Sequence, residues 1–371
     1  MTSVSTNYPT ISDSDLTALS KLGPIEDCAV RVYRKNLTPQ GRGYYTVVRA
    51  MIQAMHAGFS PLIYWIIGAR RIGKTDFFLQ LAIELWSVYG KQTMWVRSMD
   101  VELKDPSFAR DFLNDAHAHG WCPEGWESDA SGVHDEDGNL IVMWQSLNTF
   151  SNRRGAGHPD VDMIFFDEFC PESKRYPKMA LTAVMSLTKT VFAGRRSARM
   201  FCGSNFVSIA NPYFAGLEIY PTEPINLYPE KMMVLERCEG YRCSIDDDNP
   251  WNKVYEASGY GNYASETEDK MIDLVSKLPK RAKPLSYALV IGGKIYLPYD
   301  TKRAIHWTKA DANRIPYGTD LFASSINDVT DKVPIVASWV IKNLKICVEN
   351  DTLRFDSPNT LFAVMSILYN V

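Results

Sequence analysis

The chain has 371 residues, 46% of them hydrophobic, with a formal net charge of −3. That length favours two domains over one, and the near-neutral charge excludes a generally basic coat, so any nucleic-acid contact has to come from local patches. Seven scattered cysteines make no CxxC pair or zinc pattern, and the polar Met1 to Asp15 and the lack of a long apolar run leave no signal peptide or membrane span, so the expectation is a soluble intracellular protein.

In chain order, residues 1 to about 43 are mixed and turn-rich, with Gly23-Pro24, Pro39 and Gly41-Arg42-Gly43, and read as a lead-in. Tyr44 to Ala57 has helical apolar spacing. Leu62-Ile63-Tyr64-Trp65-Ile66-Ile67 is a short apolar run of the kind that forms a strand buried on both faces of a parallel sheet. From Thr75 the positions Phe77, Phe78, Leu81, Leu85 and Val88 predict a helix that stops at Gly90. Thr93 to Val96, Leu140 to Trp144, Met163 to Phe166 and Arg199 to Cys202 are further strand candidates, spaced for crossovers. Past Asn211-Pro212 come Pro221, Pro224 and Pro229, a last strand at Met232 to Leu235, and the solvated turn Asp246-Asp247-Asp248-Asn249-Pro250. Ser265 to Leu278 reads as helix, and Tyr287 to Ile291, Lys294 to Leu297 and Ile335 to Ile341 as strand. The expected fold is α/β: a P-loop NTPase sheet of the type with an added strand, flanked by helices, over 1–237; a linker over 238–284; and a small α+β domain over 285–371.

Gly68-Ala69-Arg70-Arg71-Ile72-Gly73-Lys74-Thr75 matches G-x-x-x-x-G-K-[ST], between a predicted strand and a predicted helix. In such a loop, backbone N–H groups and the positive helix end cradle phosphates, Lys74 bridges the β- and γ-phosphates of ATP, and Thr75 ligates Mg2+. Met163-Ile164-Phe165-Phe166 then ends in Asp167-Glu168, which a parallel strand delivers to the carboxyl edge, where ligands of open α/β sheets bind. Asp167 is expected to hold the magnesium and Glu168 to polarise the attacking water. This adjacent acid fits ATPases that couple hydrolysis to movement; the rival readings are a nucleotide kinase or a different DNA-dependent ATPase. Arg199 to Cys202 leads into Gly203-Ser204-Asn205, and Asn205 is the candidate sensor of the γ-phosphate, against an ordinary turn residue.

These residues resemble one family, the DNA-packaging ATPases (encapsidation proteins) of small podophages of the Picovirinae type. The matching stretches are the run from Ile67 to Lys74, Trp95-Val96-Arg97, Phe165-Phe166-Asp167-Glu168-Phe169, Thr190-Val191-Phe192, and Ser204-Asn205 leading into Asn211-Pro212-Tyr213-Phe214. The likeness is clear from 62 to 215 and faint beyond. It implies a pentameric ring in the host cytoplasm, transiently on a prohead, joined to a portal (connector) and a packaging RNA, that pumps double-stranded DNA with no membrane involved. It also implies that the C-terminal domain is a vestigial RNase H-like nuclease.

The resemblance places an arginine that acts on the neighbouring subunit's ATP just after Thr190-Val191-Phe192. Ala193 stands there, so Arg195 is the first candidate and Arg196 the second. Arg97 corresponds to an arginine that pairs with the catalytic Glu or the nucleotide. For DNA, the basic loop Ser151-Asn152-Arg153-Arg154-Gly155-Ala156-Gly157 is a candidate, with Lys277, Lys280, Arg281 and Lys283 as a second cluster for RNA or DNA, both against the reading of plain solvated segments.

Overall fold

The computed structural model describes residues 11–36, 45–69, 72–103, 106–150, 158–171, 176–205, 211–238, 274–350 and 352–369. Arg70, Arg71, the basic loop 151–157, the turn 246–250 and most of Ser265 to Leu278 lie outside them. The chain divides into two compact units: one within Met1–Pro171, Thr182–Phe206 and Pro221–Glu268, the other within Glu172–Leu181, Val207–Tyr220 and Asp269–Val371. Among the described residues no helix is long and apolar enough to cross a membrane.

The first unit begins with α1 (Asp13–Leu19), α2 (Pro24–Lys35) and α3 (Val48–His56). The lead-in read as turn-rich is therefore partly helical. Gly23-Pro24, taken for a turn, starts a helix, because proline's fixed φ and missing N–H suit the first helical position. β1 (Ile63–Gly68), α4 (Lys74–Tyr89), β2 (Gln92–Arg97), α5 (Asp100–Leu103), α6 (Pro106–Ala118), β3 (Glu127–Ser128), β4 (Gly132–His134), β5 (Leu140–Ser146), α7 (Leu147–Phe150), β6 (Val161–Asp167), α8 (Ala180–Phe192) and β7 (Arg199–Asn205) follow. Later, α9 (Pro212–Leu217) falls in the second unit, while β8 (Ile225–Tyr228) and β9 (Met233–Cys238) return to the first.

These strands make a nine-stranded sheet in the order β3-β4-β5-β2-β6-β7-β1-β9-β8. β5, β2, β6, β7, β1 and β9 run parallel, and β3, β4 and β8 are antiparallel additions. β1 and β6, the strands of the two motifs, are separated by β7, as the added-strand P-loop architecture requires. β1 and β6 are buried along their whole length, which explains why they read as unbroken apolar runs rather than alternating ones. Phe78 of α4 stacks on Phe165 of β6 with ring centroids 4.3 Å apart, and both side chains are fully buried. That contact seats α4 on the strand that carries Asp167, and each buried ring stabilises the arrangement by about 2–3 kcal/mol. Phe77, Phe78, Leu81 and Leu85 face the core as expected, whereas Val88 is exposed near the helix end.

The second unit has its own sheet: β10 (Lys283–Pro284), β11 (Tyr287–Ile291), β12 (Lys294–Asp300), β13 (Ile305–Ala310), β14 (Asp320–Ala323) and β15 (Leu353–Phe355), ordered β14-β11-β12-β13-β15 with β10 beside β12. The Ile335 to Ile341 stretch, expected as a strand, is instead the approach to a helix over Ser338–Glu349, whose Val340 and Leu344 are buried four residues apart. Its β-branched composition misled; the burial repeat is helical. Asn211-Pro212-Tyr213-Phe214 is a helix start, with Phe214 N–H donating to Asn211 Oδ1 at 2.9 Å and Pro212 at the first helical position.

Candidate functional site

Parallel pairing places the ends of β1, β2, β6 and β7 on one edge of the first sheet. Gly68 ends β1 in register with Asn205 at the end of β7, Asp167 of β6 is paired with Gly203, and Val96, just before Arg97, with Phe166. Residues far apart in sequence thereby meet around one loop.

Two glycines of the loop are needed for different reasons. A Cβ on Gly68 would lie 2.6 Å from the Cβ of Cys238 on neighbouring β9, so close strand approach excludes any side chain. Gly73 has φ +87°, the left-handed region in which a side chain is strained, and there the chain turns into α4. Lys74 is buried, and its Nζ donates to the Gly68 carbonyl at 3.0 Å, the Ala69 carbonyl at 2.7 Å and Asn205 Oδ1 at 3.4 Å. Thr75 is exposed in the first turn of α4. Arg70 and Arg71 are outside the described residues.

Across the edge, Arg97 binds both acidic residues. Its Nη2 is 2.7 Å from Asp167 Oδ2 and its Nη1 2.7 Å from Glu168 Oε2. Burial pushes the Asp167 carboxyl pKa up, against the pull of Arg97 and Lys74. Burial lowers the Arg97 pKa, but the two carboxylates outweigh it and the net shift is upward. Such a fork holds two carboxylates in fixed geometry. Glu168 has φ +53°, uncommon for a residue with a side chain, and its side chain is 44% exposed, so it is open to water where Asp167 is not. The chain after it is pinned to β7: Phe169 N–H donates to the Gly203 carbonyl, and Ser204 Oγ exchanges hydrogen bonds with the Cys170 backbone. This is what holds the left-handed turn.

The donor set also fits a magnesium ion. A hydroxyl at a helix start and a single carboxylate are few hard oxygen ligands, which suits a cation that keeps several waters and takes phosphate oxygens for the rest. Thr75 and Asp167 are the residues that would hold it.

Arg195 and Arg196 lie elsewhere, in the turn from α8 to the start of β7, at the opposite edge of the sheet. Arg195 Nη2 donates to the carbonyls of His158 (3.0 Å), Val161 and Val191 (2.9 Å), and its Nε is 3.2 Å from buried Asp162. The Arg196 side chain is exposed and has no partner among the described residues. Both border a cavity of about 910 Å³ lined by Leu62, Ile63, Phe192 and Met232, among others. Lys277, Lys280, Arg281 and Lys283 are all exposed in the second unit, and the loop 151–157 is not described.

The sequence reading missed the strap at Tyr45, whose N–H donates to the Ile72 carbonyl of the loop at 2.7 Å. Nothing local signals it, since the partners are 27 residues apart and one of them is a backbone carbonyl.

Comparison with known proteins gives one consistent picture. The model of the podovirus DNA encapsidation protein (Gp16) family matches residues 55–369. A DNA packaging protein of Bacillus phage B103 is 24% identical over 310 residues, 81% of this chain and 94% of the relative. That of Bacillus phage phi29 is 22% identical over 311 residues, 81% of this chain and 91% of the relative. Among solved structures, the phi28 gp11 DNA packaging motor has a TM-score of 0.63 at 13% identity, covering 88% of this chain and 98% of that one. The bacteriophage phi29 genome packaging motor assembly has a TM-score of 0.58 at 22% identity, with the same coverage. At these identities the likeness establishes a shared fold.

Proposed function

The chain belongs to the podovirus DNA encapsidation protein family, and from that premise we propose that it hydrolyses ATP at the Gly68–Thr75 edge to drive double-stranded viral DNA into a prohead. The observation that carries the reading is the Asp167–Glu168 pair, held by one arginine beside Lys74 and Asn205. Binding alone needs only the loop and a metal-holding acid. An additional half-exposed carboxylate has a use in hydrolysis, where it accepts a proton from water.

Each side chain then has a part. Lys74 and the loop amides bind the β- and γ-phosphates, and Thr75 and Asp167 would hold a magnesium ion, which would supply charge neutralisation at the phosphates. Glu168 orients the attacking water and takes its proton, and Asn205 reads the γ-phosphate. While Arg97 is hydrogen-bonded to Glu168, one carboxylate oxygen is already occupied, so Arg97 restrains the base and its release prepares the site. For the arginine supplied to the neighbouring subunit we put Arg196 before Arg195. Arg195 is spent on three carbonyls and Asp162 within its own chain, whereas Arg196 is free, and neither can reach the phosphate loop at the far edge of the same sheet.

The wider assembly completes the proposal: a ring, a pentamer on the family's pattern, joined to portal and packaging RNA. Residues 1–237 act as the ATPase domain, 238–284 as linker and 285–371 as a vestigial nuclease-like domain. That last role is supported by how its acids are used. Asp328 accepts from the Gly292 and Gly293 amides at 3.0 and 2.8 Å, and Asp300 from the Lys302 amide at 2.7 Å, so both cap turns. For DNA contact we put forward the 151–157 loop, and for DNA or RNA contact the Lys277–Lys283 cluster. The test is the ATPase rate of the full chain with and without double-stranded DNA, together with the mass of the assembly. Stimulation by DNA is expected; a DNA-indifferent rate with transfer of phosphate to a nucleotide would replace the motor by a kinase.

A further inference from the structure

α1 and α2 lie before the residues that the family model matches, and α2 is fastened to α4, the helix that follows Gly73. Asn36 Nδ2 donates to Gln80 Oε1 at 3.1 Å, and the Tyr89 hydroxyl donates to Asp27 Oδ2 at 3.0 Å. Lys35 Nζ also pairs with Glu84 Oε2. Between α2 and α3 the chain passes the loop at Tyr45. This residue is 1% exposed; its ring meets Phe77 edge-on with centroids 5.9 Å apart, and its hydroxyl donates to Glu236 Oε2 at 3.0 Å. Glu236 is on β9, in register with Ile66 of β1. Tyr45 is thus held from both sides with its N–H on the Ile72 carbonyl at 2.7 Å.

The consequence follows from the geometry of one peptide unit. In a trans peptide the carbonyl oxygen and the next N–H lie in one rigid plane and point in opposite directions across the C–N bond. A donor that fixes the Ile72 carbonyl on the outside of the loop therefore fixes the Gly73 N–H on the inside. Gly73, with φ +87°, has little steric preference of its own to keep that plane from turning over.

We propose that Tyr45 is a positioning residue of the phosphate loop, whose backbone N–H holds the Ile72 carbonyl outward and so aims the Gly73 N–H at the phosphates of the bound nucleotide. The N-terminal segment is then part of the nucleotide site's scaffold, added to the portion shared with the family. This rests on Gly68–Thr75 being the phosphate loop.

The test removes the N–H alone. In the full chain, Tyr45 is replaced by its α-hydroxy analogue, which converts that amide to an ester and keeps the side chain. A matched ester at Val48 removes the N–H that Val48 donates to Thr46 Oγ1 at 3.2 Å, in the same segment but away from the loop. Magnesium-ATP affinity is measured by equilibrium binding well below the unfolding midpoint of each protein. The Tyr45 ester is expected to bind roughly three- to tenfold more weakly, the Val48 ester within about twofold of the unmodified chain, and both to unfold at similarly lowered temperatures. Unchanged affinity in the Tyr45 ester, or equal losses in both esters, overturns the proposal. An unmodified chain that binds no magnesium-ATP overturns the phosphate-loop reading itself, and the proposal with it.

Discussion

The two edges of the nine-stranded sheet both gather arginines and carboxylates, but the partners differ. At the carboxyl edge Arg97 bridges Asp167 and Glu168, and Lys74 rests on two carbonyls and an amide oxygen, all acceptors that a phosphate or a metal could displace. At the other edge Arg199, 4% exposed, is bound to Glu26 at 2.9 Å, Ser60 at 2.7 Å and the Arg196 carbonyl at 2.6 Å, while Arg195 is bound to Asp162 and three carbonyls. These are structural arginines, since withdrawing them would leave buried acids and carbonyls unpaired. The comparison teaches that an arginine's availability is read from its acceptors, and it leaves Arg196 as the free side chain of the three.

The largest effect expected is at that far edge. Arg196→Ala should lower ATP turnover of the assembled protein by about 10³- to 10⁵-fold with an unchanged unfolding midpoint, because a trans-acting arginine touches only the neighbour's transition state. Mixing it with a Glu168→Gln chain should restore some hydrolysis at mixed interfaces. Full activity in Arg196→Ala would instead leave the far edge a purely structural one. Next comes Glu168→Gln, which should cost about 10²- to 10⁴-fold in kcat while leaving magnesium-ATP affinity within a few-fold, as measured by single-turnover hydrolysis and equilibrium binding. Equal loss of binding would reduce Glu168 to a second metal-holding acid.

Arg195→Ala sharpens the contrast from the structural side. Asp162 is 5% exposed, and removing its partner should destabilise the fold by about 3 kcal/mol, seen as a lower midpoint in thermal unfolding. If Arg195→Ala abolishes turnover at an unchanged midpoint, the order of the two arginines reverts to the one the sequence suggested.

What was legible in the chain was whatever is encoded locally. Gly68, Gly73, Lys74 and Thr75 read as a phosphate loop because the whole pattern falls within eight consecutive residues, and β1 and β6 declare themselves because burial on both faces favours apolar runs. The Arg97 bridge was visible only through family resemblance, since it depends on β2 lying next to β6 across 71 residues of sequence. The engagement of Arg195 was not visible at all, because its acceptors are the backbone carbonyls of His158, Val161 and Val191 and the Asp162 carboxylate, most of them over thirty residues away in sequence. At Gly23-Pro24 and Ile335 to Ile341 local preference pointed the wrong way: proline is a breaker everywhere except a helix start, and β-branched residues enter a helix when burial recurs every fourth residue.

The smallest expected effect falls on Asn205, and it decides how far the carboxyl edge is specialised. Its Oδ1 is 3.4 Å from Lys74 Nζ, a long contact, and strand register alone puts it opposite Gly68. A residue that only ends a strand would lose nothing to alanine beyond that contact. One that hydrogen-bonds the γ-phosphate or the attacking water more strongly in the transition state than in the ground state would show it in kcat. Asn205→Ala should therefore reduce kcat about tenfold, the worth of one hydrogen bond, with KM changed by less than about twofold. A raised KM at constant kcat would mean instead that Asn205 serves binding through Lys74, and the chemistry at this edge would rest on Glu168 and the arginine from the neighbouring subunit.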